Sequence, residues 1–288
     1  MRRRVIYLLS IVAAAAIVVF GLGAWHHSEA ARKYVQASTP TIFVHGWGSS
    51  AKAETKMTHA AKRAGAAGVI VRADVDRHGK VFFNKKIPAK AVNPIVEVNL
   101  EDNKLSDYQD DYVKGYRHGG TYVKNVVLAL ERQHHYKAIN LVGHSMGNLE
   151  IINYINDNAH NSKLPKVSHL VAIAGHYNGI AGEPHSDSPV NKQGKPRYET
   201  DTYRPLLTLR KRFPRQTRVL NIFGNKQDGS NSDGAVPVNS AKSLKYLVKD
   251  RAKSYREVEL KGADAQHSRL HENNPQVNRL LIQFLWGK

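Results

Sequence analysis

The stretch that most limits what this chain can fold into is "INLVGHSMGNLEIINYIND" (139–157). An apolar run of strand length stops at Gly143-His144-Ser145-Met146-Gly147, and residues that suit a helix follow at once. A passage from buried strand to helix in so few residues leaves little room for side chains. Glycine at 143 and 147 lets neighbouring backbone come close, and the serine between them is lifted to the strand's carboxyl end, at the start of a helix. Backbone N–H groups there point at whatever the serine would attack. Gly-x-Ser-x-Gly alone is a weak signal; its place at a strand-to-helix junction makes Ser145 a candidate nucleophile.

The rest of the chain repeats this alternation. Strand-like runs occupy 41–47, 93–101, 137–145, 168–175, 217–224 and 255–262, and 68–87 reads as two strands joined by a turn at Arg77-His78-Gly79. Helical patterns occupy 52–68, the later part of 111–135, 146–159, 240–250 and 274–288, the last with Pro275 near its first turn. Strands alternating with helices predict an α/β fold, a mostly parallel sheet covered by helices on both faces, in one domain over 39–288. No internal repeat is visible. Residues 176–205 carry many Gly, Pro and Asp and exceed an ordinary loop, which predicts a lid or insertion over a site.

A serine hydroxyl is a poor nucleophile without a base, so histidine and an acid must follow in the order Ser, Asp, His. "NIFGNKQDGSNSDGAVPVNSA" (221–241) supplies Asp228 and Asp233 after a strand, and "LKGADAQHSRLHENNP" (260–275) supplies Asp264, His267 and His271 after the last one. An oxyanion needs donors as well. "FVHGWGSS" (43–50) ends the first strand of the domain in a His-Gly turn, which can aim the Trp47 N–H at the same point as the Met146 N–H. Tyr177 and Asn178 follow the next strand, where they either line a pocket or build the Asn178-Gly179 turn.

The ends and the bulk composition bear on location. "MRRRVIYLLSIVAAAAIVVFGLGAWHH" (1–27) is an arginine cluster followed by an apolar run from Val5 to Trp25, the pattern of a signal peptide or an N-terminal membrane anchor over 1–30. Ser28-Glu29-Ala30 offers small residues for cleavage after Ala30. Either outcome puts the domain outside the membrane by the positive-inside rule. The absence of cysteine excludes disulfides and thiolate metal sites. A formal charge of +19 predicts an anionic partner, and without zinc-finger spacing or a basic-region heptad the expected one is an anionic cell envelope, not nucleic acid.

Together, "VHGWGSS", "VGHSMGN", "HYNGI", "SDGAVPVNSA" and "AQHSRLHEN" resemble the α/β-hydrolase fold and, more narrowly, the DUF915 family of cell-surface hydrolases of Gram-positive, especially lactic acid, bacteria. The resemblance covers residues 38–288. It implies Ser145 as nucleophile, Asp233 as the acid and His267 as the general base, with Gly143 and Gly147 shaping the elbow and Trp47 and Met146 forming the oxyanion hole. Asp228 and Asp264 are then turn residues, His271 supports its loop, and His144 packs or hydrogen-bonds.

The expected activity is extracytoplasmic hydrolysis of a carboxylic ester through an acyl-enzyme. The alternative is a cell-surface binding protein whose basic surface holds anionic wall polymer or lipid while the hydrolase site lies idle. The fifteen histidines are scattered without a His-Glu-x-x-His spacing, and the adjacent pairs 26–27 and 134–135 read as solvated or membrane-flanking. No metal site is expected. The Asp/Asn/Gly-rich loops 74–80 and 225–234 read as turns, and without a glycine-rich phosphate loop no cofactor is expected.

Overall fold

The computed structural model of the protein describes residues 28–288. The N-terminal segment assigned above to a signal peptide or anchor lies, but for its last three residues, outside them. Eight strands, β1 (Thr41–Val44), β2 (Ile70–Val75), β3 (Val81–Phe83), β4 (Ile95–Leu100), β5 (Ala138–His144), β6 (Lys166–Ile173), β7 (Arg218–Asn225) and β8 (Ser254–Lys261), form one sheet. Its order is β3-β2-β4-β1-β5-β6-β7-β8. Only β3 runs antiparallel, paired to β2 as a hairpin around the expected turn. Every other pairing is parallel, so all strand ends that point toward the carboxyl direction gather along one edge.

The central strands are buried on both faces because they carry apolar side chains in both directions. In β1, Ile42 and Val44 face one core while Phe43 faces the other, and none of the three is accessible. The first core is closed by α2 (Tyr112–Gln133), α3 (Met146–Asn158), the short α4 (Leu209–Arg212) and α6 (Leu244–Val248). The second is closed by α1 (Thr55–Arg63) and α7 (Pro275–Trp286), with Met57, Val277, Leu281 and Trp286 pointing inward. Each aliphatic side chain so buried contributes roughly 1.5–3 kcal/mol over leaving it exposed.

Two sequence expectations change in detail. The glycine-rich start of 111–135 is helical from its first turn, with the Asp111 side chain accepting the Lys114 N–H as its cap. A Cβ at Gly120 would stand 2.9 Å from the Tyr154 nitrogen, so its cost in helix propensity is offset by close contact with α3. The helix read over 240–250 is two short ones, α5 (Val238–Lys242) and α6, joined at Ser243. The segment 176–205 holds no strand and no α-helix, and runs over the carboxyl edge as an insertion after β6.

Candidate active site

Ser145 stands at the end of β5, in the middle of the sheet, with φ 52° and ψ −122°. Only glycine enters that region freely, and a strain of order 1–3 kcal/mol is the usual cost for another residue. The surroundings hold it there. The Ser145 N–H donates to the Ile173 carbonyl at 3.0 Å, and Asn148 returns its own N–H to the Ser145 carbonyl at 3.0 Å. The Asn148 amide also donates to Ile173, tying the elbow to β6. A Cβ at Gly147 would lie 2.3 Å from the Val44 carbonyl oxygen, and one at Gly143 would lie 2.7 Å from Asn148 Oδ1. Both glycines are therefore steric requirements of the turn.

His267 and Asp233 come from the loops after β8 and β7, along the same edge. The His267 Nδ1–H donates to Asp233 Oδ2 at 2.8 Å. Asp233 is 1% exposed, and its other oxygen accepts the N–H groups of Ala235 at 2.9 Å and Val236 at 2.7 Å. The His267 N–H donates to the Asp233 carbonyl at 3.0 Å, so the two loops are clasped by backbone as well as by side chains. With Nδ1 turned to the carboxylate, Nε2 is the ring nitrogen left to face the cavity. Ser145, Met146, Trp47 and His267 line one cavity of about 530 Å³.

The other acids and histidines of these loops fall elsewhere. Asp228 sits in an exposed turn, paired to Lys226 and bonded to Ser230, and the Lys226 ammonium is the first cause of its carboxyl being held well below the usual range. Asp264 pairs with Arg269 on the surface. The His271 Nδ1–H donates to the Ala53 carbonyl at 3.0 Å, and its ring lies 4.1 Å from that of His144. The His144 Nε2–H in turn donates to the His267 carbonyl at 3.2 Å. Burial, then repulsion from His267 and His271, keeps His144 far below the usual histidine range, so it stays neutral and supports the His267 loop. His134 departs from a merely solvated role: its Nε2 bonds the Ile87 carbonyl at 2.8 Å. Among the described residues no group of His, Asp and Glu is arranged to hold a metal ion.

The turn after β1 is set by His45. Its Nε2 accepts the Leu100 N–H at 3.2 Å, which leaves the proton on Nδ1, and that N–H donates to the Gly46 carbonyl at 2.9 Å. Burial lowers its pKa, consistent with a neutral ring. In a trans peptide the carbonyl and the next N–H point opposite ways, so holding the Gly46 carbonyl aims the Trp47 N–H away from His45. Among the described residues no backbone acceptor takes the N–H of Trp47 or of Met146. A Cβ on Gly46 would stand 3.0 Å from Ser145 Cβ, which places this turn against the serine.

The cavity walls include side chains the sequence did not single out: Tyr112 and Tyr116 from α2, and His176, Ile180 and Glu183 from the insertion. The Tyr116 hydroxyl lies 3.1 Å from His176 Nε2, and burial pushes the His176 pKa down to about 3. Tyr177 and Asn178 do not line it. Tyr177 is 1% exposed in the core, and the Asn178 amide pins the insertion by donating to the carbonyls of His185 and Tyr198. The strand ends at Ile173, so residues 176–178 lie in the irregular chain beyond it, which puts His176 in the cavity wall and Tyr177 in the core.

Residues 28–288 match the model of the DUF915 family, described as an alpha/beta hydrolase of unknown function. The product of gene lin2722 of Listeria innocua has a similar structure, with TM-score 0.76 and 25% identity over 86% of this chain and 94% of that one. A candidate cell surface hydrolase from Lactobacillus plantarum is similar at TM-score 0.65 and 20% identity, covering 86% and 89% of the two chains. No curated protein matches the sequence.

Proposed function

The chain belongs to the DUF915 family of α/β hydrolases, and from that premise we propose that it is an extracytoplasmic serine hydrolase acting on carboxylic esters. The observation that carries this is the 2.8 Å hydrogen bond between buried Asp233 and His267, which lines the cavity that also holds the strained Ser145. Four parts of the chain distant in sequence converge there, and a packing turn alone would require none of the other three. The cell-surface assignment draws on the N-terminal arginine and apolar pattern and on the similarity to the Lactobacillus protein.

In this mechanism Ser145 Oγ attacks the ester carbonyl carbon as His267 Nε2 takes the hydroxyl proton, and Asp233 stabilises the imidazolium that forms. The carbonyl electrons move onto oxygen, which the N–H groups of Trp47 and Met146 hold. Collapse breaks the bond to the alcohol, which leaves with the proton from His267. Water, deprotonated by His267, then cleaves the Ser145 acyl ester and restores the enzyme. The walls of Trp47, Tyr112, Tyr116 and Ile180 suit an apolar acyl or aryl group. Turnover of p-nitrophenyl esters of increasing chain length, beside the Ser145→Ala variant, tests this. Hydrolysis that is lost in the variant supports the proposal, and no hydrolysis of any ester by folded protein overturns it.

A further inference from the structure

Because the sheet is parallel from β2 to β8, the domain has two unlike edges. The candidate active site occupies the carboxyl edge. At the opposite edge, three segments lead into the first residues of β6, β7 and β8: "HNSKLPK" (160–166), "RKRFPRQTR" (210–218) and "KDRAKSYR" (249–256). Eleven of these residues are lysine or arginine, and Asp250 is their one acid. Asp250 is itself paired with Arg210 at 3.0 Å. Among the described residues Lys166, Arg212 and Arg215 have no ion-pair partner, and with Arg251 they line a cleft of about 430 Å³ whose described walls include no carboxylate. At the carboxyl edge the balance reverses. "EDNKLSDYQDD" (101–111), which follows β4, carries five acids for one lysine. The charge is thus separated along the strand direction, which gives the domain an orienting dipole.

The path of the chain N-terminal to β1 lies at the same basic edge. The Val35 N–H donates to the Trp286 carbonyl at the end of α7, and the Val35 carbonyl accepts from Asn93, just before β4. The Pro40 carbonyl, before β1, accepts the Asn140 N–H. Residues 28–35 therefore sit beside the strand starts, with Val35 45% exposed, and the apolar stretch Val5–Trp25 precedes them by two residues in sequence.

We propose that this edge is a docking face for an anionic phospholipid bilayer, with the cleft of Lys166, Arg212, Arg215 and Arg251 taking headgroup phosphates and the catalytic cavity opening away from the membrane. This rests on the extracytoplasmic location proposed above. A bilayer is the favoured occupant over a soluble wall polymer because residues 28–35, which follow the apolar stretch in sequence, lie at this edge. Attraction of surface cations to anionic lipid extends only about a Debye length, about 10 Å at 0.1 M salt, so the edge where residues 28–35 lie is the one that gains.

The chain has no cysteine, so single labels are simple to place. Full-length Gln216→Cys (basic edge) and Ser106→Cys (carboxyl edge) carry a donor fluorophore and are reconstituted into vesicles whose headgroups carry an acceptor. In phosphatidylglycerol-containing vesicles the label at 216 transfers energy efficiently and the label at 106 weakly. That difference is lost in phosphatidylcholine vesicles, at high salt, and on adding Lys166→Gln, Arg212→Gln and Arg215→Gln together. Equal transfer from both labels in anionic vesicles, transfer at 216 indifferent to lipid charge and salt, or failure to approach vesicles while a polyglycerol-phosphate polymer is bound would each overturn it. Ser145 labelling by a fluorophosphonate in the same samples reads the hydrolase proposal separately, so one can fail while the other stands.

Discussion

Replacing Asp233 by asparagine separates geometry from proton position. The carboxylate presents only acceptors: Oδ1 to the N–H groups of Ala235 and Val236, and Oδ2 to the Nδ1–H of His267. An amide must place its NH₂ on one side or the other. Facing Ala235 and Val236 it sets donors against donors in a site 1% exposed, at about 1–3 kcal/mol for each group left unmet. Facing His267 it only requires the imidazole proton to move to Nε2, so this is the favoured outcome and the variant folds. Nε2 is then protonated and cannot take the Ser145 proton. The expected loss in kcat is about 10³–10⁴-fold, equivalent to about 4–5.5 kcal/mol of barrier. Stability falls by no more than about 1–3 kcal/mol. The assay is p-nitrophenyl ester hydrolysis beside a thermal melt followed by circular dichroism. Asp228→Asn, in its exposed turn, serves as the control and keeps activity. Folded Asp233→Asn with kcat/KM within about threefold of wild type would refute the reasoning, as would a comparable loss in Asp228→Asn.

Ser145→Gly and Ser145→Ala both remove the hydroxyl, but only glycine relieves the positive φ; the glycine variant melts higher, by about 1 kcal/mol or more in unfolding free energy, and equal melts would remove strain from the account. Gly147→Ala drives a Cβ toward the Val44 and His45 carbonyls and is expected to cost about 1–3 kcal/mol or more and to abolish ester turnover, whereas wild-type turnover would show that the elbow tolerates a methyl. Glu150 is fully buried in α3, with no hydrogen-bond partner for either oxygen among the described residues, and burial raises its pKa from 4.5 to about 8. The folded state then holds a proton that the unfolded state has lost, so stability falls as pH rises from about 4.5 to about 8, by about 1.4 kcal/mol per pH unit for this group. Glu54, likewise raised to about 8, adds the same slope, so Glu150→Gln lessens the alkaline loss in urea midpoints without removing it; an unchanged slope would contradict the assignment.

Much of this was legible from spacing alone. Eight strands and the turn at Arg77-His78-Gly79 follow from short apolar runs bounded by glycine, and Ser145 from its junction. Choosing Asp233 over Asp228 and His267 over His271 required the family resemblance, because each pair shares one loop, and spacing does not say which acid and which histidine meet at the cavity. The glycines of α2 hid its first turns, since propensity cannot register a partner helix that comes close. His176 was missed, with Tyr177 and Asn178 weighed for the pocket or the turn, because β6 ends at Ile173 and periodicity does not decide which side chain of the irregular chain beyond it faces the cavity. The clustering of charge at one edge is invisible until the sheet's strand direction is known, because its three loops are separated in sequence by up to ninety residues.

The most direct test of the central claim is whether Ser145 is an activated nucleophile. The folded protein is incubated with a fluorophosphonate, and the adduct is located by mass spectrometry of the digested chain. Rapid modification of Ser145, lost in Ser145→Ala and strongly slowed in His267→Ala, is the result expected. A folded wild-type chain that stays unmodified, or is modified as fast without His267, would contradict it and leave the basic edge as the more telling guide to function.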